Sequence, residues 1–367
     1  MQRLACALKQ KGHEVYAIYG FHADFQDDFK IFSGSDVHLD FLDMDESFRL
    51  NQKTLKVIFK LRTILKKEKF DIVHTHAGGA TDIVFAASLG LDVNIIANRG
   101  MSCPLDFWNS FKYRSSKIKK IIAVSKQIKT VMVKTGKISP EKINVVYGGV
   151  DTVLFSPSIK SSLRSELSIP DHTTIVGYAG SALHRKGLSY LFEAFKMVLQ
   201  HHKNHILVLA GVNREELNRF HVDSSTADYI YPIGFREDVN NCMAGFDLFV
   251  FPGIMDEGLT GTVREAMATG LPVISTDVGG NREIITENTG LLVPLRDAER
   301  LSKAMRFLIE NPEIAADYGK NARDFVLKNM TDQIRCEKIE KIYFSTLQRN
   351  QQNNRQLSIR PKSIYDN

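Results

Sequence analysis

Short, β-branched apolar runs alternate along this chain with longer stretches whose apolar residues recur every three or four positions, marking strands and amphipathic helices in turn. In the first part, strands are predicted at Glu14–Ile18, Val37–Leu39, Asp71–His74, Asn94–Ala97, Lys120–Val124 and Ile143–Val146. Helices are predicted there at Leu50–Glu68, Thr81–Leu89, Phe107–Ser116 and Lys126–Thr135. A low-order stretch from Phe155 to Asp171 interrupts the alternation. It restarts with strands at Thr174–Tyr178, Ile206–Ala210, Tyr229–Tyr231, Leu248–Phe251, Val273–Ser275 and Gly290–Val293. The helices of this second array are predicted at Gly187–Gln200, Glu215–Phe220, Arg236–Ala244, Thr262–Thr269, Ala298–Glu310 and Pro312–Asn329.

Two successive βα arrays imply an α/β protein with two doubly wound parallel sheets facing a cleft, ligands lying beyond the carboxyl ends of the strands. The units are expected at residues 1–157 and 158–331. A last helix, Asp332–Leu347, stands outside the second array, so residues 332–349 are expected to cross back to the first unit. The Asn/Gln/Arg-rich residues 350–367 read as a disordered tail. The opening is irregular: a helix, Gln2–Gln10, and the turn Lys11-Gly12-His13 precede any strand. Since the first strand of a doubly wound sheet is normally central, the first unit is expected to be irregular or to lack that strand.

Composition narrows the class. With 367 residues, 43% apolar and 25% charged, the chain has an ordinary globular balance. No apolar run reaches the roughly 18 residues of a membrane span. Cys6, Cys103, Cys242 and Cys336 are scattered without a C-x-x-C pair, which argues against zinc knuckles and disulfide frameworks and suits a reducing cytoplasm. The net charge of +6 is uneven: residues 1–157 hold 23 basic against 16 acidic residues, the rest 25 against 26. Lys112 to Lys137 carries nine basic residues and no acid, interleaved with apolar ones. It reads either as a solvated helical face or as a contact for an anionic membrane surface or an anionic lipid-linked acceptor, placing the protein peripherally at the inner face of a membrane. Nucleic acid is not expected, because stacking aromatics and known binding motifs are lacking.

The chemistry gathers at strand–loop–helix junctions. Glu257 and Glu265 bracket the glycine-bearing turn Gly258-Leu259-Thr260-Gly261 at the start of a helix. Backbone N–H groups and the positive end of the helix dipole there suit a phosphate or diphosphate, and a carboxylate in the first turn suits a ribose hydroxyl. Val176-Gly177-Tyr178-Ala179-Gly180-Ser181 leads to Arg185 and Lys186 ahead of another helix; these cations either neutralise a diphosphate leaving group or form an exposed basic loop. Gly279-Gly280-Asn281-Arg282-Glu283 follows a strand and is weak on its own. His74 and His76 share a face at a strand end, without further ligands at metal spacing, so no metal is assigned. Phosphate-loop, G-x-G-x-x-G and G-x-S-x-G motifs are missing where ATPase, nicotinamide or hydrolase chemistry needs them.

Taken together, these segments resemble the retaining glycosyltransferases of family 4, with their two-domain GT-B fold. The resemblance rests on Gly12-His13-Glu14-Val15, Phe70 to His76, Val124-Ser125, Tyr147-Gly148-Gly149-Val150-Asp151 and Lys186-Gly187. It is strongest from Gly234-Phe235-Arg236 to Pro294, including the E-x7-E element and Glu265-Ala266-Met267-Ala268. It implies metal-independent transfer of a sugar from a UDP-, GDP- or ADP-sugar to a glycan or lipid-linked acceptor, without a cofactor, in polysaccharide, lipopolysaccharide or glycolipid assembly. Carried over by residue, Glu265 holds the donor ribose, and Glu257 faces the donor sugar or phosphate. Gly258, Leu259, Thr260 and Gly261 contact sugar or diphosphate, and Lys186 holds the diphosphate. Phe235 and Arg236 flank the base, while His76 and Arg99 lie on the acceptor side. The chain departs from the family in four places. Ser181 replaces an arginine, for which Arg185 substitutes; Asn98-Arg99-Gly100 replaces a histidine; Gly148 replaces an asparagine; and the first strand with its glycine-rich loop is missing. A non-catalytic relative and a GT-B epimerase or phosphorylase are the alternatives.

Overall fold

The computed structural model describes residues 1–20, 31–32, 34–43, 51–201 and 203–358. The predicted helix start at Leu50 and the tail residues 359–367 lie outside the described residues. The first half runs α1 (Gln2–Gln10), β1 (Tyr16–Gly20), β2 (His38–Leu42), α2 (Gln52–Glu68), β3 (Val73–Thr75), α3 (Gly78–Ala87), β4 (Ile95–Arg99), α4 (Phe107–Arg114), β5 (Ile118–Ala123), α5 (Lys126–Gly136) and β6 (Ile143–Val145). The second half continues with α6 (Leu163–Glu166), β7 (Thr174–Ala179), α7 (Leu188–Leu199), β8 (His205–Ala210), α8 (Arg214–Asn218), α9 (Ser224–Ala227), β9 (Ile230–Gly234), α10 (Val239–Ala244), β10 (Leu248–Phe251), α11 (Gly261–Thr269), β11 (Val273–Thr276) and β12 (Leu291–Val293). It closes with α12 (Ala298–Glu310), α13 (Pro312–Asn329) and α14 (Asp332–Ser358).

The second sheet is parallel, in the order β12-β11-β10-β7-β8-β9. Its strands are continuous apolar runs because helices cover both faces. α7 supplies Leu188, Leu191, Phe192, Phe195 and Val198 at helical spacing, all buried in one core with Val176, Tyr178 and Phe249. The β-strands of the first half form two parallel ladders, β1-β2 and β3-β4-β5-β6. α2, α3 and α5 cover the second of these with Val57, Leu61, Ile83, Ile128 and Met132. α14 lies on α1, and Leu4, Leu8, Ile96, Ile122, Cys336, Ile339 and Ile342 pack together there.

Several expectations need correction. The stretch between Phe155 and Asp171 contains the short helix α6, whose Leu163 is fully buried. The last helix does not stop near residue 347 but continues to Ser358. Gln, Asn and Arg there offer no breaker, since neither Gly nor Pro interrupts the turn. The strand expected at Glu14–Ile18 begins at Tyr16, because His13 and Lys11 tie the preceding turn to Glu340 of α14. The basic run from Lys112 to Lys137 is not one solvated face. Lys112 is buried and pairs with Asp82 at 2.5 Å. Half-buried Lys117, Lys120 and Lys129 donate to the carbonyl oxygens of Leu91, Glu141 and Ile143, so their ammonium groups are tied to backbone. Arg114, Lys126, Lys134 and Lys137 remain exposed. The four cysteines are free thiols. Among the described residues, no helix is long and apolar enough to cross a membrane.

Candidate active site

The strand order itself positions the site. β7 lies between β8, which follows it in sequence, and β10, which comes later, so the chain leaves β7 toward one edge of the sheet and returns at β10 to build the other. The adjacent carboxyl ends of β7 and β10 therefore form the topological switch point, where loops diverge and leave a crevice. Arg185 and Lys186 follow β7, and Glu257 follows β10. The two loops are bonded directly, Ile254 N–H donating to Arg185 O at 2.9 Å.

Glu257 is 8% exposed, and its Oε1 accepts from Arg185 Nη1 at 2.6 Å and from Lys186 Nζ at 2.9 Å. Lys186 Nζ also stands 5.2 Å over the Phe251 ring. Two cations around one carboxylate leave a surplus positive charge in a poorly solvated place, where an incoming anion interacts more strongly than it would in water. Arg185 reaches this spot from four residues beyond Ser181, which is exposed and whose carbonyl oxygen accepts from Tyr178 Oη at 2.9 Å.

The turn Gly258-Leu259-Thr260-Gly261 leads into α11, which forms because Val263, Ala266 and Met267 bury one face and Gly270, at φ 83°, ends it in the left-handed region. Thr260 occupies the N-cap position but its side chain does not cap, and its hydroxyl has no partner among the described residues. The first turn thus keeps donors for a ligand. Glu265, in the second turn, is largely enclosed; burial raises its pKa, and neighbouring Arg264 opposes the rise.

Other expected site residues are dispersed. Phe235 is 86% exposed at the end of β9, while Arg236 pairs with Asp238 at 2.7 Å and with Glu166, so its guanidinium is already occupied. In the first half, Arg99 Nη2 donates to Cys103 O at 3.0 Å; the next residue, Gly100, places its carbonyl against Gly258. The rings of His76 and His74 lie tilted against each other with centroids 4.2 Å apart, and His74 Nδ1 lies 2.7 Å from Tyr343 Oη of α14. Among the described residues no group of three or more His, Cys, Asp or Glu is placed to hold a metal ion.

Three participants escaped sequence reasoning. Asn281, fully buried, accepts from Thr260 N–H at 3.2 Å and donates to Ser275 Oγ at 2.9 Å, fixing the turn before α11. Glu283 bonds to the first half. Arg264, enclosed beside Glu265, donates to Gly149 O at 2.9 Å, and Gly148 leaves room for its guanidinium where a side chain would collide with it. The pair Gly279-Gly280 was the available signal for the first two.

Residues 159–325 match the family described as Glycosyl transferases group 1, and residues 1–154 match Glycosyltransferase Family 4. An Escherichia coli relative named UDP-Gal:alpha-D-GlcNAc-diphosphoundecaprenol alpha-1,3-galactosyltransferase is 26% identical over 319 residues, covering 79% of each chain. A glycosyltransferase structure from Rickettsia africae superposes with a TM-score of 0.82 at 22% identity, covering 94% of this chain and 93% of its own. The structure of Anabaena HepE with UDP and glucose gives a TM-score of 0.80 at 17% identity, covering 94% and 96%. From these matches the chain belongs to family 4, group 1, of the glycosyltransferases and is a sugar-transferring enzyme of GT-B fold.

Proposed function

We propose that the chain transfers a sugar, with retention of anomeric configuration and without a metal ion, from a nucleotide-sugar to a glycan or lipid-linked acceptor in surface polysaccharide, lipopolysaccharide or glycolipid assembly. One observation carries the reading: Arg185, Lys186 and Glu257 meet at the switch point of the second sheet, beside the α11 N-terminus that presents Glu265. Departure of a nucleoside diphosphate builds charge on phosphate, and the two cations with the helix end oppose it. Glu265 takes the ribose hydroxyls, and Glu257 orients the cations and faces the sugar. The UDP in the Escherichia coli relative's name and in the Anabaena structure makes UDP-sugars the first donors to test. The acceptor lies toward the first half, near Arg99 and His76. Exposed Phe107 and Phe111 on α4, with Arg114 stacked 5.2 Å over Phe107, support approach to an anionic membrane surface.

The test is calorimetry and product analysis with UDP-, GDP- and ADP-sugars, using the full chain. Binding of one nucleotide class, slow release of sugar and an α-configured product from an α-donor are expected. Absence of binding and turnover with every donor would overturn the reading. Interconversion of donor sugars, or transfer to inorganic phosphate, would replace it with an epimerase or a phosphorylase.

A further inference from the structure

α5 has an N-terminus that its own sequence does not complete. Ser125 caps it by accepting from Ile128 N–H at 3.2 Å, but the first turn carries no acidic residue and begins with Lys126. The missing carboxylate comes from the other half of the molecule. Glu283, 156 residues beyond Gln127, accepts from Gln127 N–H through Oε1 and from Lys126 N–H through Oε2, both at 2.8 Å, and Tyr147 Oη donates to Oε2 at 3.1 Å. A carboxylate on two backbone donors at a helix N-terminus combines charge-assisted hydrogen bonds with the helix dipole.

The turn carrying Glu283 also holds the site. Gly280 N–H donates to Gly258 O at 2.7 Å, and Asn281 accepts from Thr260 N–H. Gly280 is pressed against Ser125, and Gly258 against Gly100 O, so closely that a β-carbon at either position would collide. The Glu257–Gly261 loop is thus clamped between the Gly279–Glu283 turn and the first half. Opening the cleft would break the Glu283 contacts and release that loop together.

We propose, building on the transfer reaction inferred above, that Glu283 is a positioning residue: it latches the two halves across the cleft and sets the Glu257 loop without touching either substrate. The anion-binding end of α5 is then filled by the protein itself and is not a substrate phosphate site.

The full chain and its Glu283→Ala and Glu283→Gln variants test this by amide hydrogen exchange and steady-state kinetics. In Glu283→Ala, exchange at Lys126 and Gln127 should quicken about ten-fold or more. Its kcat should fall about 10- to 100-fold, as for displaced catalytic groups, while donor KM moves less than about three-fold. Glu283→Gln, isosteric but uncharged, should lie between wild type and Glu283→Ala in both readouts. Unchanged exchange in both variants would overturn the latch. Faster exchange with unchanged kcat would overturn the positioning role. Exchange needs no turnover, so a wild-type chain inactive with every donor would count against the transfer reading alone.

Discussion

Among the described residues, the six strands of the second half form one continuous sheet, whereas those of the first half form two, β1-β2 and β3-β4-β5-β6. In the second half the site residues follow neighbouring strands of one sheet, and their contacts are made within about one domain's length of chain. The first half depends on the far end of the sequence. α14 packs on α1, Tyr343 meets His74, Glu340 meets Lys11 and His13, and Asp332 pairs with Arg3 at 3.2 Å. One half is therefore organised by strand order and the other by a returning helix. This difference explains why the donor-side chemistry was easier to read than the acceptor side.

The largest effect expected from breaking this comparison is on the donor side. Lys186→Ala removes one of the two cations on Glu257, proposed above to face the leaving group, and should lower kcat about 10²- to 10³-fold, measured at saturating donor. Retention of activity within a few-fold would leave the switch-point cluster without a catalytic role. On the other side, Ile339→Ala opens the α1–α14 cluster, where Ile339 is 1% exposed. It should cost about 2–4 kcal/mol in urea unfolding while leaving nucleotide affinity unchanged. A variant as stable as wild type would show that the returning helix does not support the first half.

Acid should separate the halves further. Burial, with Arg335 adding, lowers the His74 pKa to about 3, and burial with His74 adding lowers that of His76. Both imidazoles stay neutral in the folded chain but take up protons when unfolded. Above about pH 6.5 this costs nothing, and as the pH falls below it toward the folded values the unfolded chain is increasingly favoured. Between pH 6.5 and 5 His74 costs up to about 2 kcal/mol, and His76 acts in the same direction. Thermal melts across that range should show a shallower decline for His74→Gln than for wild type; parallel slopes would contradict it.

Glu265→Ala should weaken nucleotide-sugar binding about ten-fold by titration calorimetry, and more than Glu257→Ala does. The reverse order would remove the ribose assignment. Smallest of all should be Arg236→Ala. With its guanidinium held by Asp238 and Glu166, its loss should change donor KM less than about two-fold. A larger increase would return it to the base-binding wall.

Legibility followed the range of the interactions. α13 matches its predicted span, Pro312–Asn329, because Pro at its first position and a regular apolar stripe mark it locally. β10 was equally plain at Leu248–Phe251, a fully buried run after an Asp. The E-x7-E spacing announced Glu257 and Glu265 through a glycine-bearing turn and a helix start. By contrast, nothing near Arg236 in the sequence announced that its guanidinium pairs with both Asp238 and Glu166. The basic run from Lys112 looked like a surface until Asp82 and three carbonyl oxygens engaged it. Both have one cause: a charge in sequence does not reveal which group neutralises it.

From the sequence alone came the alternation of strands and helices, the two βα arrays, and the residue types and spacing of the donor-side motif. These depend on side-chain periodicity and backbone preference, which act over a few residues. Only the tertiary structure decided that β7 and β10 are neighbours, so that Arg185, Lys186 and Glu257 share one point. It alone gave α5 its carboxylate from Glu283 and placed α14 on α1. Those pairings join residues some 70 to 340 positions apart in a chain folded by burial, which is non-directional and leaves no local mark of its partners.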